Sequence, residues 1–218
     1  MNRKCRRILL FCATAAWVLA LLVGLRWLWV FDATPGAPAH PAIAWPADTI
    51  LDRDSSGATL VMTVHPRCAC TAATIGELAR VVARAPRPMR VYVLAVIPDA
   101  ASCNDWQHTT LLARAGEIPG VRVVNDVGGV EARRFGAQTS GYSSLYSPDG
   151  QLLFSGGITS SRGHEGDNAG EDALIQAVSG LQPAQSQSPV FGCPLFADAA
   201  KIQVSPAQTL QARAGGAR

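Results

Sequence analysis

The sequence predicts an α/β domain behind an N-terminal transmembrane helix, and three observations support this fold class. A long uncharged apolar stretch lies close to the N-terminus. In the middle of the chain, β-branched runs alternate with segments of helical periodicity, and a hairpin and a last helix follow. Two cysteines stand one residue apart between a predicted strand and a predicted helix. Dense periodicity is confined to about 125 residues, which favours a single domain behind the anchor.

The N-terminal segment is predicted to anchor the protein in a membrane. Residues 1–7 are a basic flank without acidic residues, and residues 8–31 hold an apolar run of about the 20 residues that a spanning helix needs. The basic flank is expected to stay in the cytoplasm, which makes this a single-pass protein of the bacterial inner membrane with a periplasmic C-terminal domain. A cleavable signal peptide is the alternative, although its apolar region should span only about 7 to 15 residues. Residues 32–47 are rich in proline and alanine and are predicted to form a semi-rigid spacer.

Residues 65–71 have the sequence His-Pro-Arg-Cys-Ala-Cys-Thr and join a predicted strand to a predicted amphipathic helix. The N–H groups and the positive dipole end at the start of a helix stabilise a thiolate and lower the pKa of a thiol. Cys68 and Cys70 are therefore the predicted catalytic pair. We expect Cys68 to be the more exposed thiol and the nucleophile, and Cys70 to resolve the mixed disulfide. Two inert buried cysteines are an alternative, and half of a zinc site is a weaker one because a second pair of ligands is missing.

The rest of the domain, predicted over residues 48–180, continues the alternation of strand and helix. Strands are expected at residues 90–97 and 121–124 and, as a hairpin, at 142–147 and 151–154. Helices are expected at residues 106–115, 130–135 and 171–178.

This order of elements resembles the thioredoxin superfamily, in which redox cysteines lie between the first core strand and its helix. The resemblance covers roughly residues 55–180 and implies a thioredoxin-like fold, with a central mixed sheet flanked by helices. Four segments resemble, more narrowly, the bacterial membrane-anchored RedB family of redox proteins: residues 65–71, 131–141, 156–170 and 190–195. The resemblance implies thiol and disulfide chemistry but names no substrate.

The sequence departs from the thioredoxin pattern in two places. Thr71 stands where the second cysteine of the usual Cys-x-x-Cys motif would lie. Ser140 and Gly141 stand where the resemblance places a cis-proline that faces the cysteines, blocks metal capture and helps to dock substrate. We therefore expect the face above Cys68 and Cys70 to be open, and Gly141 to be an accessory position of the site.

Two further residues are candidates for accessory roles. Cys193 lies in the apolar segment 190–196, which is predicted to dock onto the domain although the tail, residues 181–218, is otherwise mostly disordered. It could replace the missing partner cysteine, or form a structural disulfide with Cys103. His164 lies in a polar, glycine-rich loop, where it could tune a thiolate, transfer protons, bind a metal or simply be exposed.

The net charge of +3 is small, and nothing in its distribution suggests nucleic acid as a partner. We therefore expect a membrane-anchored periplasmic thiol:disulfide redox protein without a cofactor or a bound metal. Its expected partners are protein thiols or disulfides and, through the N-terminal helix, membrane lipid. One alternative is a Cu(I)-binding or copper-delivery module of the same fold, because soft sulfur ligands suit Cu(I). A non-catalytic interaction domain is the other.

Overall fold

The computed structural model describes residues 2–98 and 104–196 and divides after Thr34 into two units. The first is helix α1 (Arg3–Ala33), rich in leucine, alanine and arginine, which are strong helix formers. It ends where Thr34 adopts an extended backbone in front of Pro35, a residue that disfavours helical conformation in its predecessor. Within the part of the chain that the structure describes, α1 alone is long and apolar enough to cross a membrane.

The second unit is built on a mixed sheet with the strand order β3-β2-β1-β4-β5. The strands are β1 (Thr59–Val64), β2 (Arg90–Ile97), β3 (Val121–Val127), β4 (Tyr142–Tyr146) and β5 (Leu152–Gly156). The first three run parallel to one another, and β4 and β5 form an antiparallel hairpin whose first strand pairs with β1. Because β1 is central and every one of its residues is buried, its sequence is a continuous β-branched and apolar run rather than an alternating one.

Within the described part of this unit, five helices cover the sheet: α2 (Thr71–Arg84), α3 (Asn104–Gln107), α4 (Thr110–Gly116), α5 (Val130–Arg134) and α6 (Ala169–Val178). Helices α2, α4 and α6 share one core cluster, to which they contribute Leu78, Leu112 and Leu174. Right-handed crossovers between successive parallel strands place α2 and α4 on the same face of the sheet. Phe135, directly after α5, packs with Tyr146 in a second cluster. The predicted fold class, a mixed sheet flanked by helices, is confirmed.

The boundaries of two elements differ most from those predicted. The helix predicted over 106–115 is divided into α3 and α4, because the Thr109 side chain accepts a hydrogen bond from the Leu112 N–H (3.3 Å) and caps a new helix there. Strand β3 continues to Val127 because its backbone keeps pairing with β2 as far as Ile97. Apolar periodicity alone does not mark either boundary.

The proline-rich segment expected to be a spacer lies against the domain. The His40 N–H donates to the Gly136 carbonyl (2.9 Å), and Ala44 forms a single antiparallel bridge with Gln151. The Trp45 ring packs edge-on against two aromatic rings of the second cluster. Residues 36–45 are thus held on the domain by backbone hydrogen bonds and by one half-buried indole.

The segment 186–196 also lies against the domain. Its backbone begins beside β5, where the Ser188 N–H donates to the Ser155 carbonyl (3.1 Å). Val190, Phe191 and Leu195 are buried, which accounts for the apolar character of this part of the tail. The remainder of the predicted disordered tail, residues 197–218, lies outside the described residues.

Candidate functional site

The strand order brings two loops together at the C-terminal end of β1. One loop joins β1 to α2 and contains both cysteines of the motif. The other precedes β4, the antiparallel neighbour of β1. Thr63 pairs with Tyr142, and the Gly141 N–H donates to the Thr63 carbonyl (2.8 Å). The position before β4 therefore lies beside the cysteine loop.

The cysteine loop is a tight turn that leads directly into α2. The Cys68 N–H donates to the His65 carbonyl (3.0 Å), and the Thr71 N–H donates to the Cys68 carbonyl (3.1 Å). Cys68 is buried, with 3% of its surface exposed, whereas Cys70 at the helix N-cap is half-buried. The expectation that Cys68 is the more exposed thiol is wrong, because the turn directs it inward and a distant segment covers it.

That distant segment contains Cys193, whose Sγ lies 2.7 Å from the Sγ of Cys68. The Ser140 N–H donates to the Cys193 carbonyl (2.8 Å), and the Leu195 N–H donates to the Gln138 carbonyl (2.9 Å). Thr139 and Pro194 form an antiparallel bridge between these two bonds. The segment is thus paired with the loop before β4 in the manner of a short strand. Both sulfurs are free, and a disulfide of about 2.05 Å could form between them with little movement.

The Cys68 thiol has a strongly depressed pKa of about 4. The largest cause is the hydrogen bond from the Cys193 thiol, and bonds from Thr71 lower the pKa further, whereas burial opposes them. The same hydrogen bond raises the pKa of Cys193, as do burial and the negative charge on Cys68. At neutral pH this arrangement holds Cys68 as a thiolate and Cys193 as its thiol donor.

Cys70 is the third thiol of this cluster. Its pKa is raised, first by burial and then by the charge of the Cys68 thiolate, while the cation of Arg162 acts in the opposite direction. Cys70 is therefore held protonated beside an ionised neighbour. The structure thus brings together three of the predicted site residues, Cys68, Cys70 and Cys193. The negative charge on Cys68 contributes to the raised pKa of both other thiols.

Ser140 connects the two loops and the tail segment, and the sequence analysis did not assign it a role. Its Oγ accepts from the His65 N–H (2.8 Å) and lies 2.7 Å from the Thr71 Oγ1, while its own N–H binds the Cys193 carbonyl. It is almost fully buried. The signal that could have identified Ser140 is its place directly before Gly141, where the thioredoxin resemblance expects a residue facing the cysteines.

Gly141 has a left-handed backbone conformation, with a φ of +93°. A Cβ at this position would lie 3.1 Å from the Thr74 Oγ1 on α2, so that both the backbone and the close approach of the helix favour glycine. The absence of proline predicts an open face above Cys68. The structure differs, because residues 192–195 cover the Ser140 side of Cys68.

The glycine-rich loop before α6 reaches the site through Arg162. The Arg162 Nη1 donates to the Gly192 carbonyl, next to Cys193. The positive charge of Arg162 partly offsets the rise in the pKa of Cys70 and Cys193. The loop is tied to α2, where the buried Glu77 accepts from the Gly166 N–H (2.5 Å). Sequence reasoning missed Arg162 and Glu77, because nothing local distinguishes either from an ordinary surface charge.

His164, the residue predicted in this loop, has an exposed side chain, and its Nδ1 lies 3.4 Å from the Arg162 carbonyl. Among residues 2–98 and 104–196, no group of three or more His, Cys, Asp or Glu side chains is arranged to hold a metal ion. Cys103, the other partner considered for Cys193, lies outside the described residues.

Comparison with solved structures places the fold among known bacterial proteins. An uncharacterized conserved protein from Geobacillus kaustophilus is 18% identical, with a TM-score of 0.55 over 75% of this chain and 92% of that one. A hypothetical protein from Sinorhizobium meliloti is 18% identical, with a TM-score of 0.48 over 74% and 93% of the two chains. A secreted Mycobacterium tuberculosis disulfide oxidoreductase is 17% identical, with a TM-score of 0.41 over 59% and 84%.

No family model matches the chain, and no curated protein matches its sequence. The fold assignment therefore rests on the three-dimensional arrangement. The strand order, the antiparallel hairpin beside β1 and the helix that starts at the cysteines are those of thioredoxins. They identify this chain as one of thioredoxin-like fold.

Proposed function

We propose that this protein is a membrane-anchored thiol:disulfide redox protein in which Cys68 is the nucleophile and Cys193 the resolving thiol. The observation on which this rests is the 2.7 Å contact between the two sulfurs. It supplies both halves of a redox couple in one place, and it accounts for the low pKa of Cys68 that makes this sulfur the attacking group.

The reaction proceeds in two exchanges. The Cys68 thiolate attacks one sulfur of a substrate disulfide, forms a mixed disulfide and releases the first substrate thiolate. Cys193 then loses its proton and attacks the Cys68 sulfur, which forms the Cys68–Cys193 disulfide and releases the second substrate thiolate. Two electrons pass from the protein to the substrate, and the reverse sequence oxidises a dithiol. Because a stabilised thiolate favours the reduced form, the disulfide form should be the stronger reagent, an oxidant.

Cys70 takes a secondary place in this proposal. The sequence favours it as the resolving thiol because it is the nearest cysteine along the chain. A disulfide between residues two apart closes a small strained ring, whereas Cys193 approaches Cys68 from a separate segment and forms no such ring.

The proposal includes the membrane location and the RedB resemblance. The basic flank and the length of α1 support a single-pass anchor of the inner membrane with the domain in the periplasm, although a signal sequence would share these features. The four segments that resemble RedB contribute Cys68, Ser140, Arg162 and Cys193, which meet at one site. Their convergence supports protein thiols or disulfides as partners.

The test is to trap the reaction at its intermediate. The full-length protein, purified in detergent, is incubated with a disulfide-containing protein and then analysed by non-reducing peptide mass spectrometry. We expect Cys68→Ser to abolish exchange, and Cys193→Ser to accumulate a mixed disulfide on Cys68. Cys70→Ser should retain most of the turnover, and Cys12→Ser, in the apolar helix, is the matched control. A mixed disulfide that accumulates in Cys70→Ser but not in Cys193→Ser would contradict the assignment. Absence of exchange in the unmodified protein would favour a non-catalytic domain.

A further inference from the structure

A groove between α2 and α4 opens beside Cys68. It consists of two adjoining cavities of about 280 and 440 Å³, which share Ile75 and Arg114 in their walls. Cys68 itself lines the first cavity, and the second extends along α2 as far as Ala83. Small and aliphatic side chains such as Ala72 form much of the lining.

The length of the groove suits a polypeptide rather than a small thiol. From Ala72 to Ala83 the helix rises about 16 Å at 1.5 Å per residue. An extended chain advances about 3.3 Å per residue, so the groove matches roughly five residues of a bound segment. The alanines of α2 leave room for the side chains of such a segment.

Access to Cys68 also favours this side. Residues 192–195 cover the Ser140 side of the sulfur with two backbone hydrogen bonds and an antiparallel bridge. A protein disulfide that approached there would have to displace the resolving cysteine. The groove reaches Cys68 while Cys193 remains in contact with it.

The charges that border the groove are positive near the sulfur. Arg67 and Arg114 both line the first cavity and are exposed, and the guanidinium of Arg67 lies 4.3 Å from the centre of the Trp106 ring. Among the side chains that the structure describes, no carboxylate lies within 4.0 Å of either arginine. Glu117 lines only the second cavity, away from Cys68. Two arginines beside an apolar lining are complementary to a carboxylate next to apolar side chains.

We propose that this groove is the substrate-binding site of Cys68 and receives an extended polypeptide segment with apolar residues and carboxylates close to its cysteine. The inference rests on the proposed function and adds the class of substrate. Arg114 is the specificity-determining residue, since it belongs to both cavities and lies far from the cysteine loop in sequence.

The test uses a matched set of synthetic peptides with one cysteine activated as a neutral 2-pyridyl disulfide. Leucine stands on one side of the cysteine, and two glutamates, two glutamines or two lysines stand on the other. Attack by the Cys68 thiolate on the peptide sulfur forms the mixed disulfide and releases thiopyridone, whose absorbance gives the rate. We expect the reduced full-length protein to react fastest with the glutamate peptide and slowest with the lysine peptide, and this difference to shrink in 1 M salt, where the Debye length is about 3 Å.

The decisive variant is Arg114→Glu. We expect its rate with the glutamate peptide to fall about fivefold, the size expected for exchanging an exposed attractive charge pair for a repulsive one. Its rate with the lysine peptide should rise, and Arg114→Lys should retain the original order. The matched control is Arg122→Glu. Arg122 is an exposed arginine of β3 that does not line the groove. Its neighbour across the strands, Tyr92, packs in the cluster with Phe135 and not in the cluster of α2 and α4.

Dipyridyl disulfide, which carries no peptide, separates this inference from the proposed function. If it reacts rapidly at Cys68 but the three peptides react at equal rates, the groove assignment is refuted and the redox function stands. If Cys68 does not react with dipyridyl disulfide faster than Cys12, the proposed function itself fails. Equal effects of Arg114→Glu and Arg122→Glu would also overturn the groove assignment.

Discussion

Replacing Cys193 by alanine is expected to raise the pKa of Cys68. The Cys193 thiol is the largest cause of the shift from the ordinary value of 9.0 to about 4. Alanine removes the donor without adding a new one. Cys68 itself is buried, so that solvent does not replace the lost hydrogen bond.

The size of the effect follows from that one hydrogen bond. A hydrogen bond to a charged group contributes about 1.5 to 3 kcal/mol, and one pKa unit corresponds to about 1.4 kcal/mol, so the expected rise is about 1 to 2 units. The pKa of Cys68 should thus move from about 4 to between roughly 5 and 6. Thr71 still donates to the sulfur, which keeps the pKa below that of a free cysteine.

The assay is the pH dependence of alkylation by iodoacetamide, followed by mass spectrometry at the peptide that contains Cys68. The protein with Cys193 and its Cys193 variants all carry Cys70→Ser, so that a single thiol is modified in that peptide. Cys193→Ser is the matched control, because its hydroxyl keeps a donor near Cys68 and should shift the midpoint less than alanine does. An unchanged midpoint in Cys193→Ala, or equal midpoints for alanine and serine, would refute the hydrogen-bond explanation of the low pKa.

Three other predictions concern the stability of the full-length protein, measured by denaturant unfolding. Gly141→Ala should cost about 1 to 3 kcal/mol because of its positive φ, and more than Gly163→Ala, which has a φ of +70° but open space around it. Equal costs would mean that the contact with α2 contributes nothing. Ser140→Ala should cost about 1 kcal/mol because the half-buried N–H of His65 loses its acceptor. A neutral result would argue against that hydrogen bond. The unfolding free energy of the reduced protein should rise between pH 4 and 9. The pKa of the Cys68 thiol is about 4 in the folded protein, against an ordinary value of 9.0. This thiol therefore adds no stability below pH 4 and makes its full contribution only above pH 9. Cys68→Ser should lack this rise, and the same rise in that variant would exclude Cys68 as its source.

The fold could be predicted largely from local sequence signals. Strand β1 (Thr59–Val64) coincides with the strand predicted directly before residues 65–71, because a central strand buried on both faces leaves an unbroken apolar run. The segment around Trp45 could not be predicted in this way. Its prolines and alanines are typical of a spacer, and only contacts with residues about a hundred positions away hold it on the domain.

The candidate site was predictable where its chemistry is local and not where it depends on distant pairing. Cys68 stands at a strand-to-helix junction, and that position alone predicts a lowered thiol pKa. The contact of Cys68 with Cys193 has no local signal, since it depends on backbone hydrogen bonds between the tail segment and the loop before β4. The role of Ser140 could not be predicted for the same reason, because its contacts join separate segments of the chain.

The contact between Cys68 and Cys193 also has a consequence for the order of events during synthesis. The two residues are 125 positions apart, and at about 5 to 20 residues per second the ribosome needs roughly 6 to 25 s to add the intervening chain. During that interval Cys68 lacks the donor that contributes most to its low pKa. The nascent thiol is therefore largely protonated at neutral pH, whereas the finished one is a thiolate. The thiolate form of Cys68 thus depends on completion of the chain as far as its docking segment.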